Sequence, residues 1–316
     1  MDAVTAFAPA TVSNVACGFD VLGFALDSPG DEVTARFVDA PGVTIETIEG
    51  DAGRLPREAA KNTAGVAARA LLTTVGQRRG VALSIRKGLP LASGLGGSAA
   101  SAVAAVVAVD ALVGARAPLE TLLACALEGE HLGAGSAHAD NIAPSLYGGF
   151  VLVRRADPPD VVRLPVPAGL TAVVVHPDLE IETSKARALL GTTVPLGDAI
   201  RQWANLGAFV HGLHVGDFAL LSRALEDTIA EPRRAPLVPG LASIKQAASD
   251  AGALGSSLSG SGPSLFALCR DVATAARVAD VMTAAVKRAI GGEPQTYVSA
   301  IAPQGARVIA QDRCVS

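Results

Sequence analysis

The stretch PLASGLGGSAAS, residues 90–101, runs directly into AVAAVVAVDALV, which holds no glycine or proline before Gly114. An Ala/Val run of this kind has no polar face, so the spacing predicts a helix over 98–112 that is buried on all sides. It is too short for a bilayer span, which needs roughly 20 apolar residues, and Asp110 interrupts it. A glycine loop opening into such a helix leaves backbone N–H groups unpaired at the positive end of the helix dipole, about half a charge. An anion, by default a phosphate, is the expected guest.

The rest of the chain must supply the walls around that helix. With 316 residues it suits one large or two ordinary domains. Half the residues are hydrophobic but 3% are aromatic, so Ala, Val, Leu and Ile in regular elements must fill the core. Short β-branched runs in 3–48, VTARFV and VTIETI among them, read as strands. A helical spacing over 57–75 follows, then the strand VALSIRK before the glycine loop. Residues 118–132 predict a further helix, and GGFVLVRR and LTAVVVHP predict strands, with DPPDVVRLPVP as a connection. A boundary is expected there, dividing the chain into 1–155 and 156–316. In the second half, helices over 196–213, 217–226, 241–252 and 272–289 are expected, with strands near 264–268 and 295–299.

The net charge of −4 provides no basic field, so neither nucleic acid nor an anionic membrane is an expected partner. Cys17, Cys125, Cys269 and Cys314 lie far apart without a CxxC pair, which points to a reducing cytoplasm. The N-terminus lacks the basic and apolar regions of a signal peptide.

Three familiar glycine motifs fail for the loop. No Gly, four residues, Gly, Lys, Ser/Thr run exists, which closes the Walker A reading. Gly94, Gly96 and Ala99 meet the GxGxxA form of the dinucleotide fingerprint, but GLPLAS separates them from the strand and no second strand follows about 20 residues on. The nucleophile elbow GxSxG is absent.

What remains, Pro90 followed by GLGGSAAS, resembles the phosphate-loop signature PxxxGLGSSAA of the GHMP kinases, with Gly97 where a serine is usual. PATVSNVACGFDVLGFAL resembles the N-terminal motif of that family, and GSSLSGSGPSLFAL the C-terminal one. EHLGAGSAHADNIAP, ETSKARALL and EPRRAPLVPGL are similar to segments of its homoserine-phosphorylating members. The resemblance implies a two-domain α+β fold: an N-terminal ATP-binding domain like ribosomal protein S5 domain 2 and a ferredoxin-like C-terminal domain. It implies ATP- and Mg²⁺-dependent phosphorylation of the side-chain hydroxyl of L-homoserine to O-phospho-L-homoserine, a step toward threonine, and a homodimer is among its implications. Another small-alcohol kinase of mevalonate or sugar type is the alternative, and a catalytically silent ligand sensor is a third reading.

Roles follow from the resemblance. The loop residues Pro90, Gly94, Leu95, Gly96, Gly97, Ser98, Ala99 and Ala100 wrap the ATP phosphates, and Asn62 and Lys87 border the adenine. The bland reading of the last two is an ordinary surface Asn and Lys. Ser98 and Glu130 hold Mg²⁺, against a helix cap and a solvated helix-end carboxylate. An amino-acid substrate needs a carboxylate clamp, for which the planar fork of arginine suits; Arg187 and Arg234 take that part, with Arg233 as fallback. Asp20 pairs with the substrate ammonium, and Asn14, His138, Asp140, Asn141 and Gly260 surround the rest. Asp140 and Asn141 are also the candidates for catalysis, since a loose phosphoryl-transfer transition state permits activity without a true base. His211 and His214 are read as structural.

Overall fold

The sequence AVTAFAPATVS alternates half-buried and buried side chains over its first half and is buried throughout its second, because that end is covered on both faces. This is β1 (Ala3–Ser13), an inner strand in the computed structural model, which describes residues 3–134 and 138–312. It pairs antiparallel with the long β2 (Leu22–Val38), whose far end pairs with β4 (Gly80–Arg86), while β3 (Val43–Glu49) runs parallel to β4. Near its beginning β2 also takes up β5 (Phe150–Arg155), which pairs with β6 (Asp160–Leu164). The last strand, β11 (Arg307–Asp312), returns to β1. The first sheet thus has seven strands and draws segments from either side of residue 155. DPPDVVRLPVP, expected as a mere connection, contains β6: its VVRL pairs with β5, a contact that local turn residues do not reveal.

Helices α1 (Thr63–Thr74) and α2 (Gly97–Val113) pack on this sheet, α3 (Leu119–Ala134) packs on those two helices, and α4 (Ala139–Tyr147) lies against the β1–β2 end of the sheet. The predicted Ala/Val helix is α2, buried between α1, α3, β1 and β2. Its small side chains let the neighbours approach closely. At the α1–α3 contact, a side chain at Gly129 would strike the Thr63 carbonyl. Gly114 ends α2 at φ 68°, a left-handed position glycine adopts without strain.

The second sheet has the order β10 (Gln295–Ala300), β7 (Thr171–His176), β9 (Leu265–Cys269), β8 (Gly255–Leu258), all antiparallel. Counted within this unit the order is fourth, first, third, second. Between β7 and β8 lie α5 (Thr183–Ala188), α6 (Leu196–Val215), α7 (Phe218–Ala224), α8 (Glu231–Arg234) and α9 (Leu241–Asp250); α10 (Val272–Ala289) joins β9 to β10. This is the split βαβ arrangement expected of a ferredoxin-like domain. The expected helices over 196–213, 217–226, 241–252 and 272–289 all appear, within a few residues.

Few aromatics are present, and several meet at the seam between the two units. Phe24 on β2 lies 4.8 Å from Phe150 and 5.9 Å from Phe266 on β9, and Phe150 lies 5.9 Å from Phe209 on α6, centroid to centroid. All four are fully buried, so one core runs across the seam. Among the described residues no helix is long and apolar enough to cross a membrane. Cys17, Cys125 and Cys269 are buried free thiols, and Cys314 lies outside the described residues.

Candidate active site

The three glycine-bearing motifs are far apart in sequence and hydrogen-bonded in space. The Gly260 amide donates to the Ser13 carbonyl at 3.2 Å, and Asn14 Nδ2 donates to the Gly260 carbonyl at 2.8 Å. Ser259 Oγ donates to the Gly94 carbonyl at 2.7 Å, and the Ser264 amide to that of Ser93 at 3.2 Å. Beside this junction opens a cavity of about 600 Å³ lined from both units. Pro90, Gly94, Gly96, Gly97 and Ser98 face one part of it, and Asn14, Asp20, His138, Asp140 and Arg234 another.

The phosphate loop takes its shape from two left-handed glycines. Gly94 (φ 77°) and Gly96 (φ 67°) are also too close to neighbours for a side chain: a Cβ at Gly96 would lie 2.2 Å from Thr11 Oγ1. Helix α2 starts at Gly97, and the first two residues of the helix, Gly97 and Ser98, line the cavity. Leu95, Ala99 and Ala100 do not line it. Their side chains belong to the core, and the Ala100 amide is taken by the Gly96 carbonyl at 2.8 Å, so Ala100 has no donor left for a phosphate.

Ser98 does not cap α2. Its hydroxyl donates to Glu130 Oε1 at 3.0 Å, and Gly96 is the cap residue. Glu130 is 5% exposed rather than solvated, its Oε2 has no partner, and burial raises its pKa above the usual carboxylate range. A buried carboxylate oxygen left unpaired beside a serine hydroxyl is a donor set for a hard cation. Among the described residues no group of three His, Cys, Asp or Glu could hold a metal. Mg²⁺ needs no such cage where phosphates and water complete its shell.

The two residues expected to border the adenine, Asn62 and Lys87, both line the cavity. Neither Asn62 nor Lys87 is an ordinary surface residue. Asn62 is the N-cap of α1, accepting from the Ala64 amide at 3.0 Å and donating to the Pro56 carbonyl at 3.0 Å. Lys87 is ion-paired with Asp31, and its Nζ also donates to the Gly97 carbonyl at 2.7 Å and Ser101 Oγ at 2.9 Å. Both side chains are occupied in holding α1 and α2, although both residues line the cavity.

At the other part of the cavity, charges converge. Arg187 Nη1 donates to Asp20 Oδ2 at 2.5 Å. Arg234 is 4% exposed, gives Nη1 to the Gly260 carbonyl at 2.9 Å, and leaves Nε unpaired. Burial lowers its pKa, opposed by Asp20. Both guanidinium carbons lie over the Phe19 ring, at 5.5 Å for Arg187 and 5.2 Å for Arg234. Arg233 instead reaches the Thr193 carbonyl, away from the cluster.

Asp140 begins α4 and accepts from the Asn14 amide at 3.3 Å; burial, then the charge of Asp20, pushes its pKa up to about 7. His138 has an unpartnered Nε2, and burial lowers its pKa. Asn141 Oδ1 accepts from Thr11 Oγ1 at 2.8 Å. Asn14 (φ 69°) and Asp20 (φ 59°) both sit in left-handed backbone, tied by a 3.0 Å bond from the Asp20 amide to Asn14 Oδ1.

Sequence reasoning missed Phe19, Ser93, Asp31 and Ser101. Ser93 Oγ is buried at the cavity wall without a partner. Its place inside the loop motif was the one available signal. The partnership of Asp31 with Lys87 spans 56 positions and had none.

Residues 62–149 match the model of the GHMP kinases N terminal domain, and 209–288 that of the GHMP kinases C terminal domain. The chain is 44% identical to a homoserine kinase of Chloroherpeton thalassium over 98% of its own length and 100% of the relative's. It is similar to the crystal structure of homoserine kinase from Cytophaga hutchinsonii, with a TM-score of 0.95, 50% identity and 98% of each chain covered. The fold is shared with an L. major mevalonate kinase in complex with R-mevalonate, at TM-score 0.69, 20% identity, and coverage of 93% and 94%.

Proposed function

The chain belongs to the GHMP kinase family, and from that premise we propose that it transfers the γ-phosphoryl group of ATP to the side-chain hydroxyl of L-homoserine. The product, O-phospho-L-homoserine, is a precursor for threonine. The observation that carries the reading is that Asp20 and Arg234 line the same cavity as the glycine loop, with Arg187, which does not itself line it, ion-paired to Asp20. Asp20 and Arg187 are ion-paired with each other. A zwitterion can replace that pair group for group, its ammonium on Asp20 and its carboxylate between Arg187 and the unpaired Nε of Arg234. A mevalonate or sugar has no ammonium to offer.

Phosphoryl transfer asks mainly for positioning and charge neutralisation. The N–H groups of Gly97 and Ser98 at the start of α2 and the backbone of 94–96 hold the phosphates. Mg²⁺, held by Ser98 Oγ and Glu130 Oε2, would neutralise charge on the β- and γ-phosphates. Asp140 and His138 flank the acceptor hydroxyl, and the ionised Asp140 can accept its proton late in the transfer, with Asn141 fixed beside it. The unit built on the first sheet, residues 1–155 together with β6 and β11, serves as the ATP-binding domain, and the rest of 156–316 as its C-terminal partner. The buried free cysteines support a cytoplasmic setting. A homodimer is supported by the exposed Leu196, Ile200 and Trp203 on α6.

The test is ADP release by purified protein with Mg²⁺ and ATP, comparing L-homoserine with its deaminated analogue and with mevalonate. Turnover specific to homoserine is expected. Absence of homoserine-dependent turnover, or equal rates with the deaminated analogue, overturns the assignment.

A further inference from the structure

Arg234 sits on the four-residue helix α8, too short to be stable by its own hydrogen bonds. Its first residue, Glu231, is tied by its side chain to Lys245 and Ser257, and its leading amides are held by the carboxylate of Asp227. Asp227 Oδ1 accepts from the amides of Ile229 at 2.8 Å and Ala230 at 2.9 Å, and Oδ2 accepts from Glu231 at 2.8 Å. The next residue, Pro232, has no N–H. The Ala230 carbonyl then accepts from Arg233 at 3.2 Å and from Arg234 at 3.0 Å. The backbone of Arg234 is therefore fixed one step from the Asp227 side chain.

Asp227 is itself held by Gln202 on α6, whose Nε2 donates to Oδ1 at 3.1 Å. Gln202 Oε1 accepts from the Thr228 amide at 2.8 Å and from Thr228 Oγ1 at 3.0 Å, so the amide grips both sides of the turn. Its Nε2 also points at the Ala16 carbonyl, 3.5 Å away, in the turn that carries Asn14 and Asp20. Gln202 is 7% exposed and Asp227 9%. Neither lines the cavity. Their hydrogen-bonding capacity is spent on the segments that present the substrate-facing charges.

We propose that Asp227, braced by Gln202, is a positioning residue that sets the guanidinium of Arg234 for the carboxylate of the amino-acid substrate. The inference rests on the reading of Arg234 given above. A buried carboxylate bonded to three consecutive amides is more than a helix cap here, because the segment it orders has one functional side chain and that side chain retains an unpaired donor.

The experiment is a double-mutant cycle in steady-state kinetics with Asp227→Asn, Gln202→Leu and Arg234→Ala, each alone and the first two combined with Arg234→Ala. Asp227→Asn keeps the volume and loses the charge. It is expected to raise the KM for homoserine about tenfold, with kcat and the KM for ATP within about twofold, and Gln202→Leu to do the same more weakly. In the Arg234→Ala background neither substitution should raise it further. An equal rise with and without Arg234 overturns the inference alone, since a merely structural loss would not depend on that side chain. An Arg234→Ala enzyme with unchanged homoserine KM overturns the reading of Arg234 and the inference with it. Should Asp227→Asn fail to fold, the Gln202→Leu arm of the cycle gives the same decision.

Discussion

Asp31→Asn is expected to destabilise the whole protein and loosen the phosphate loop together. Asp31 is fully buried on β2; besides the Lys87 ammonium it accepts from Ser101 Oγ at 2.7 Å and from the Gly88 amide at 3.0 Å. The Lys87 side chain is 2% exposed, so without the carboxylate its charge is left with one carbonyl and one hydroxyl. Breaking a buried pair from one side costs about 3–5 kcal/mol, because the remaining ion is uncompensated. With about 2 cal/mol/K of unfolding entropy per residue, a cooperative unit of this size loses about 5–8 °C in Tm. The same change leaves the Lys87 contact to Gly97, the first residue of α2, without its anchor on β2, so the KM for ATP should rise with the loss of stability. Thermal unfolding followed by circular dichroism, alongside ATP titration, reads both. Replacing the pair by apolar residues, Asp31→Leu with Lys87→Met, should recover most of the Tm. A drop below about 2 °C for Asp31→Asn, or a double variant no more stable than the single one, would refute the reasoning.

Glu130→Gln should lower kcat by roughly two to three powers of ten, as loss of one preorganised electrostatic contact does, with homoserine KM little changed. Because burial raises the pKa of Glu130, its ionisation opposes folding at neutral pH, so the free variant should melt no lower than the parent. A normal kcat would exclude a metal-binding role. Asp140 gives a pH signature: its folded pKa of about 7 exceeds the unfolded value near 3.8, so its stabilising effect is full below about 4 and is lost as pH rises through 7. Activity should rise over the upper part of that window as the carboxylate ionises, and Asp140→Asn should remove both slopes in pH–rate and pH–Tm profiles; unaltered slopes would deny the assignment. Gly97→Ser restores the hydroxyl usual in the family. A Cβ there meets nothing closer than Lys87 Nζ at 3.6 Å, so the variant should fold normally and bind ATP tighter by about 0.5–1.5 kcal/mol in calorimetry. Weaker binding would count against the loop's role.

The sequence by itself determined the parts whose physics is local. The Ala/Val run could satisfy its backbone only as a buried helix, and it did so as α2. The glycines of PLASGLGGSAAS predicted a backbone that an anion can approach, and Gly94 and Gly96 take left-handed angles that glycine adopts without strain. Resemblance of the motifs to those of the family, rather than residue type or spacing, made Ser98, Glu130, Asp20, Arg187 and Arg234 the candidates. Tertiary structure decided what each of those residues touches. Lys87 and Asn62 both line the cavity, and what holds them there, the pairing of Lys87 with Asp31 and the capping of α1 by Asn62, had no mark in the sequence. Ser98 and Glu130 lie 32 positions apart, and only the packing of α2 on α3 makes them one site. Strands β6 and β11 escaped notice because their pairing partners, β5 and β1, and not their own residues, make them strands. Long-range hydrogen bonds of this kind leave no periodicity in the chain. The charge cluster around Phe19 and the bracket of Gln202 and Asp227 behind Arg234 are visible only once the chain has closed on itself.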